Sequence, residues 1–202
     1  FCNNNPANFV DPDGREIRVR AEYQEQFRND LQNVFGEKTK HVVFKNDIFA
    51  LNIDYKEFKK GLSRSQRSVL KGLKKAMDDN ITTSVVYENQ FQLTVGDKLK
   101  AIDIIQEYGG GVYSAIDNII VVAPQAGEIT VQPESEPWTN ELVNQNTTSV
   151  LFHEIAERNE KNPTFRGNVI IYENQVRNLI GLPHRPFDIY HSNIIPTKTD
   201  NK

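Results

Sequence analysis

Val150-Leu151-Phe152-His153-Glu154-Ile155-Ala156-Glu157 is the stretch on which the reading of this chain turns. Its apolar residues keep helical spacing, and residues four apart on a helix share a face. His153 and Glu157 therefore point the same way, with Glu154 rotated off that pair but beside it. This is the mechanics of a His-Glu-x-x-His zinc helix: two ligands one turn apart, and between them a glutamate that polarises a metal-bound water. Here the second histidine is a glutamate. One imidazole and two carboxylates would neutralise a dication, so its water would be less acidified and zinc held less tightly. Oxygen ligands also suit a harder ion such as Mn²⁺. Taken alone, His-Glu-x-x-Glu is a weak signal, because glutamate is common on exposed helix faces.

A third ligand has to come from elsewhere. Downstream, Asn168 to Ile180 reads as another helix, stopped by Gly181-Leu182-Pro183. A helix, turn, helix arrangement can bring its Glu173 back onto the first helix. His184 and His191 are the alternatives; they are softer ligands, but they lie in a loop. Arg177 and Arg185 are candidates to steady a ligating carboxylate or a substrate carbonyl. A plain ion pair from Arg177 to Glu173, one turn away, is the competing reading.

Upstream, residues 18 to 35 read as an amphipathic helix ending at Gly36, and Asn46-Asp47 joins two apolar runs as a hairpin. Leu62 to Asp78 reads as a helix capped by Ser63 or Ser65, burying Leu62, Val69, Leu70, Leu73 and Met77. Its other face carries Arg64, Arg67, Lys71, Lys74 and Lys75, a pattern read first as a solvated surface. Strands are expected at Thr82 to Tyr87, Phe91 to Val95, Val112 to Ala115 and Ile119 to Ala123, the last two flanking Asp117-Asn118. Gly109-Gly110-Gly111 lacks the Lys-Ser/Thr of a phosphate loop and reads as a strand entry. Residues 124 to 148 read as a long polar loop. The expected fold is α+β: a small, mainly antiparallel sheet packed beside the two C-terminal helices, with the metal between helices and sheet edge.

Composition narrows the function classes. The chain has 202 residues, 24 basic and 27 acidic side chains and a net charge of −3, so there is no global basic footprint for nucleic acid. Cys2 is the single cysteine and excludes an internal disulfide. No apolar run approaches the ~20 residues of a membrane helix.

Two segments resemble known families. Asn3-Asn4-Asn5-Pro6-Ala7-Asn8-Phe9-Val10-Asp11-Pro12-Asp13-Gly14-Arg15-Glu16 resembles the end of the core associated with bacterial RHS repeats, after which a variable C-terminal toxin domain follows. Glu173-Asn174-Gln175-Val176-Arg177 and Gly181-Leu182-Pro183-His184-Arg185, behind the His153 helix, resemble the zincin-like metallopeptidase toxins found at the ends of such proteins. Gly109-Gly110-Gly111 fits that pattern loosely, and Glu157 departs from it where the family has histidine. The resemblance implies residues 1–14 as the end of the RHS core or a linker, 15–196 as the toxin domain and 197–202 as a disordered tail. It implies a zinc peptidase with Glu154 as the catalytic base, His153, Glu157 and Glu173 as ligands, and Arg177, His184 and Arg185 in supporting or substrate-binding positions. It also implies a protein or peptide substrate, a cognate immunity protein as partner, and secretion or surface display as part of a larger bacterial protein acting in a target cell. Two alternatives stay open: a degenerate zincin-like scaffold that acts by binding, and a nuclease toxin, supported only by the basic helix.

Overall fold

The computed structural model describes residues 16–125, 127–131, 141–160, 167–187 and 195–196. The segment 3–14, His191 and the tail 197–202 lie outside these residues. The architecture is α+β. A mixed six-stranded sheet runs in the order β2-β3-β1-β4-β8-β7. Its strands are β1 (Ile17–Val19), β2 (Val42–Lys45), β3 (Ile48–Leu51), β4 (Thr83–Tyr87), β7 (Gly111–Ser114) and β8 (Ile119–Val122). β1/β4 and β4/β8 are parallel and the other pairs of this sheet antiparallel. Between β4 and β7 the chain forms a separate two-stranded hairpin, β5 (Gln90–Val95) and β6 (Lys98–Asp103), then the short helix α4 (Ile104–Tyr108). A third small sheet, β10-β9-β11, joins β9 (Glu128–Val131), β10 (Glu141–Asn144) and β11 (Ile195–Pro196).

The first helix, α1 (Gln24–Phe35), follows a 3₁₀ turn at Ala21–Tyr23 and buries Phe27, Leu31, Val34 and Phe35. The β2–β3 hairpin turns where expected: Asn46 and Asp47 have φ of 50° and 68°, the left-handed pair that a two-residue turn requires. After α2 (Tyr55–Lys59), helix α3 (Arg64–Met77) starts at Ser63. Its side chain accepts from Gln66 N while the Gln66 side chain returns to Ser63 N, a complete capping box. Two of the basic groups on α3 serve local structure: Lys74 pairs with Asp78, and Lys75 Nζ caps the Asn159 carbonyl at 2.6 Å.

Helix α5 (Thr147–Asn159) is the centre of the molecule. It packs against α1, α3, α6 (Gly167–Leu179), β7 and β8, and most of its residues are buried, polar ones included. Asn146 caps it, and the Asp30 carboxylate of α1 lies at its N-terminus, accepting from the hydroxyls of Thr147 (2.9 Å) and Thr148 (2.8 Å) and from Tyr87 OH (2.6 Å). An anion at that end also complements the helix dipole. At the opposite end Arg158 donates to Thr83 Oγ1, Ile81 O and Asp79 Oδ2, tying α5 to the entry of β4.

Three expectations change. The polar stretch 124–148 is no uniform loop: it holds β9 and β10, which bury Ile129, Val131 and Val143 in a small core of their own. Helix α5 begins three residues before the expected Val150, because Asn146 and Ser149 form a capping box. The stretch 18–35 is not helical throughout, since Ile17–Val19 form β1 and α1 starts only at Gln24, and β6, α2 and α4 have no counterpart in the sequence reading. No helix among the described residues is long and apolar enough to cross a membrane.

Candidate metal centre

His153, Glu154 and Glu157 each bring a ligand atom into one group whose members lie within 4.8 Å of one another. The arrangement comes directly from helical spacing on α5. His153 is 4% exposed and Glu154 2%, so the group sits inside the protein rather than on a solvated helix face. One imidazole nitrogen and two carboxylates, buried together, form a donor set that can hold a divalent ion.

Glu173 takes a different place from the one expected. It lies against the imidazole too, but on the opposite ring nitrogen: His153 Nδ1 is 2.8 Å from Glu173 Oε2, while His153 Nε2 is 3.2 Å from Glu157 Oε1. A single ion on the Glu157 side cannot also reach a carboxylate behind Nδ1. Glu173 is instead fully buried and held by two guanidiniums, Arg177 Nη1 at 3.4 Å and Arg185 Nη1 at 3.2 Å. Burial alone would push its carboxyl up; Arg185, the His153 hydrogen bond and Arg177 outweigh that and bring it down to about 2. Burial likewise pulls the His153 imidazolium down, but Glu157 and Glu173 outweigh it and hold the ring charged up to about 10. Since a carboxylate only accepts, the imidazolium donates to Glu173 through Nδ1 and to Glu157 through Nε2.

The remaining expected residues divide. Arg177 and Arg185 both reach Glu173, so they steady a carboxylate, and for Arg177 the ion pair one turn away is the observed contact. His184 is exposed and does not join the group. Asn174 supplies an unexpected part: its side chain donates to Arg185 O (2.8 Å) and accepts from Arg185 N (2.7 Å), clamping the segment that carries the guanidinium. Arg177 Nε donates to Pro183 O at 2.6 Å and Nη2 to Asn144 O at 2.9 Å. The Glu-Asn-x-x-Arg and Gly-Leu-Pro-x-Arg segments thus form one bracket behind the imidazole, with Glu173, Arg177 and Arg185 as its buried members.

The glycine run completes the front. Gly109 and Gly110 have φ of 68° and 108°, a turn that other residues resist. Gly111 opens β7 against α5 so closely that a Cβ there would lie 2.3 Å from Val150 Cγ1 and 2.9 Å from Glu154 Oε1. The reading of these glycines as a strand entry holds, with a steric reason that sequence alone did not supply. A cavity of about 10 Å³ lies here, lined by Tyr108, Gly111, Gln145, His153, Glu154 and Arg185 among others. That is room for about one water-sized particle.

The strand beside Glu154 is a sheet edge. β7 ends the six-stranded order, and among the described residues no strand pairs with its outer side. Ala123 N donates to Gly110 O, and the 111↔122 register continues that ladder. In an antiparallel ladder inward-bonded residues alternate with outward-facing ones. Gly111 and Tyr113 therefore direct their backbone N–H and C=O outward.

No protein-family model, curated protein or solved structure matches this chain.

Proposed function

We propose that this chain is a divalent-metal-dependent peptidase domain of the zincin-like kind its motifs resemble, acting as the C-terminal toxin of an RHS-repeat protein. The observation that carries the reading is the buried His153–Glu154–Glu157 group on one helix, set beside the outward edge of β7. His153 through Nε2 and Glu157 are the ligands in this reading. Glu173 becomes the carboxylate that holds Nδ1 and orients the ring, a role such partners commonly serve at metal-bound histidines. An ion held there supplies a Lewis acid for a peptide carbonyl and lowers the pKa of a water; zinc is the first candidate and Mn²⁺ the alternative. Glu154 takes the proton of the attacking water and returns it to the leaving amine. The backbone of Gly111 and Tyr113 receives an extended substrate by strand addition. Delivery from a secreted or surface-anchored parent into a target cell, and a cognate immunity protein, belong to the same reading.

The test is Glu154→Gln. The variant is expected to retain bound metal and stability while peptide hydrolysis, and toxicity on expression in a bacterial host, fall by a factor of about 100 or more. Toxicity unchanged by this substitution would favour a second reading, a degenerate scaffold that works by binding. One observation supports that second reading. With His153 protonated, the three cations His153, Arg177 and Arg185 stand against the three carboxylates Glu154, Glu157 and Glu173, and the cluster needs no ion to balance.

A further inference from the structure

Away from the metal centre, α1, the β2–β3 hairpin, α2 and α3 enclose a cavity of about 200 Å³. Its floor is made of fully buried apolar groups, among them Phe35, Phe58 and Leu70. Half-buried Leu51, Ile53 and Met77 stand at its margin, so the cavity is reached from solvent on that side. For scale, an engineered apolar cavity of about 150 Å³ takes up benzene.

The lining specifies the chemistry of an occupant. Phe35, Phe49, Tyr55 and Phe58 all border the space, and Phe35 and Phe58 already meet edge to face with centroids 5.8 Å apart. A further ring can join such an array in the same geometry. One charged group lines the cavity, Lys74. Its ammonium is bound by Asp78 at 2.5 Å and lies 5.3 Å from the Tyr55 ring centroid. It is already matched and offers no open charge to a ligand's carboxylate. Burying a charged head against the floor would go uncompensated.

We propose that this cavity is a binding site for a small uncharged aromatic molecule, about one to two fused rings in size. The site is independent of the metal centre and of the peptidase reading.

Met77 makes the test direct, because it is the chain's one methionine and it borders the cavity. The full chain labelled with ¹³C at the methionine methyl gives a single resonance, which is followed while toluene is added. The expected result is a saturable shift with half-saturation at or below about 1 mM, within reach of a seven-atom ligand. Benzoate should bind at least about tenfold more weakly, since its charge must be desolvated. Leu51→Phe and Ile53→Phe each place a ring at the margin and should weaken toluene binding at least about tenfold without unfolding the protein. A shift that stays linear up to toluene's solubility limit would overturn the proposal. So would benzoate binding as tightly as toluene, or saturable binding that survives in a folded filling variant. The first two readings need only the wild-type chain, so a variant that fails to fold leaves the decision intact.

Discussion

The buried imidazole is where sequence and electrostatics meet most directly. Helical spacing made the pairing of His153 with Glu157 legible, since it follows from residues four apart. What spacing could not say is which ring nitrogen each acid would meet. That depends on how α6 docks, and on Asn174 and Arg177 fixing the backbone near Pro183 and Arg185. The charge state has a measurable consequence for the metal-free protein. His153 titrates near 10 when folded against about 6.5 as a free side chain. Its contribution to stability is therefore fully present below about pH 6.5 and is lost as pH rises through about 10. Glu173 has the opposite sign: brought down to about 2 from 4.5, it contributes fully above 4.5 and its contribution is lost as pH falls through about 2. Urea unfolding in chelator should show the midpoint declining from pH 7 to 10, and His153→Gln should flatten that limb. A wild-type midpoint that rises over the same range would contradict the assignment.

At the scale of elements, two contacts hold α5 in register. Gly111 brings β7 against Val150 and Glu154, and Gly111→Ala should destabilise the fold by about 1–3 kcal/mol through overpacking at Val150. The same Cβ crowds Glu154 Oε1, so hydrolysis should fall further than stability alone explains; activity per folded molecule is the measurement. The Asp30 carboxylate anchors the N-terminus of α5 through the hydroxyls of Thr147 and Thr148, and Tyr87 OH donates to it as well. Asp30→Ala strands those donors and should cost about 2–3 kcal/mol in chemical denaturation, whereas a change under about 0.5 kcal/mol would show that the anchor is dispensable. These contacts were not legible, because they join residues 57 to 118 positions apart or act through a glycine's missing side chain. The strong local signals did come through. The Asn46-Asp47 turn carries its left-handed backbone, and α3 carries its Ser63 cap. β6 was missed because most of Lys98–Asp103 is exposed and its apolar residues are interleaved with lysines, and β9 and β10 because their few apolar residues are spread among Glu, Thr and Asn.

Across the whole molecule, the helices and the mixed sheet converge on one buried polar spine: Arg177 and Arg185, then Glu173, His153 and Glu157, with Glu154 alongside. Buried charge on this scale is costly unless every member is matched. The two arginines match Glu173, which leaves the front of the ring, where Glu154 and Glu157 converge, as the place for a cation. A divalent ion bound at Nε2 must displace the proton held there, so its apparent affinity rises with pH. The most direct measurement is metal content by mass spectrometry after zinc loading and desalting at neutral pH, for the wild type and for His153→Ala with Glu157→Ala. The account predicts one ion per chain in the wild type and none in the double variant. A wild-type chain that emerges without metal, or a double variant that keeps the full complement, would contradict it.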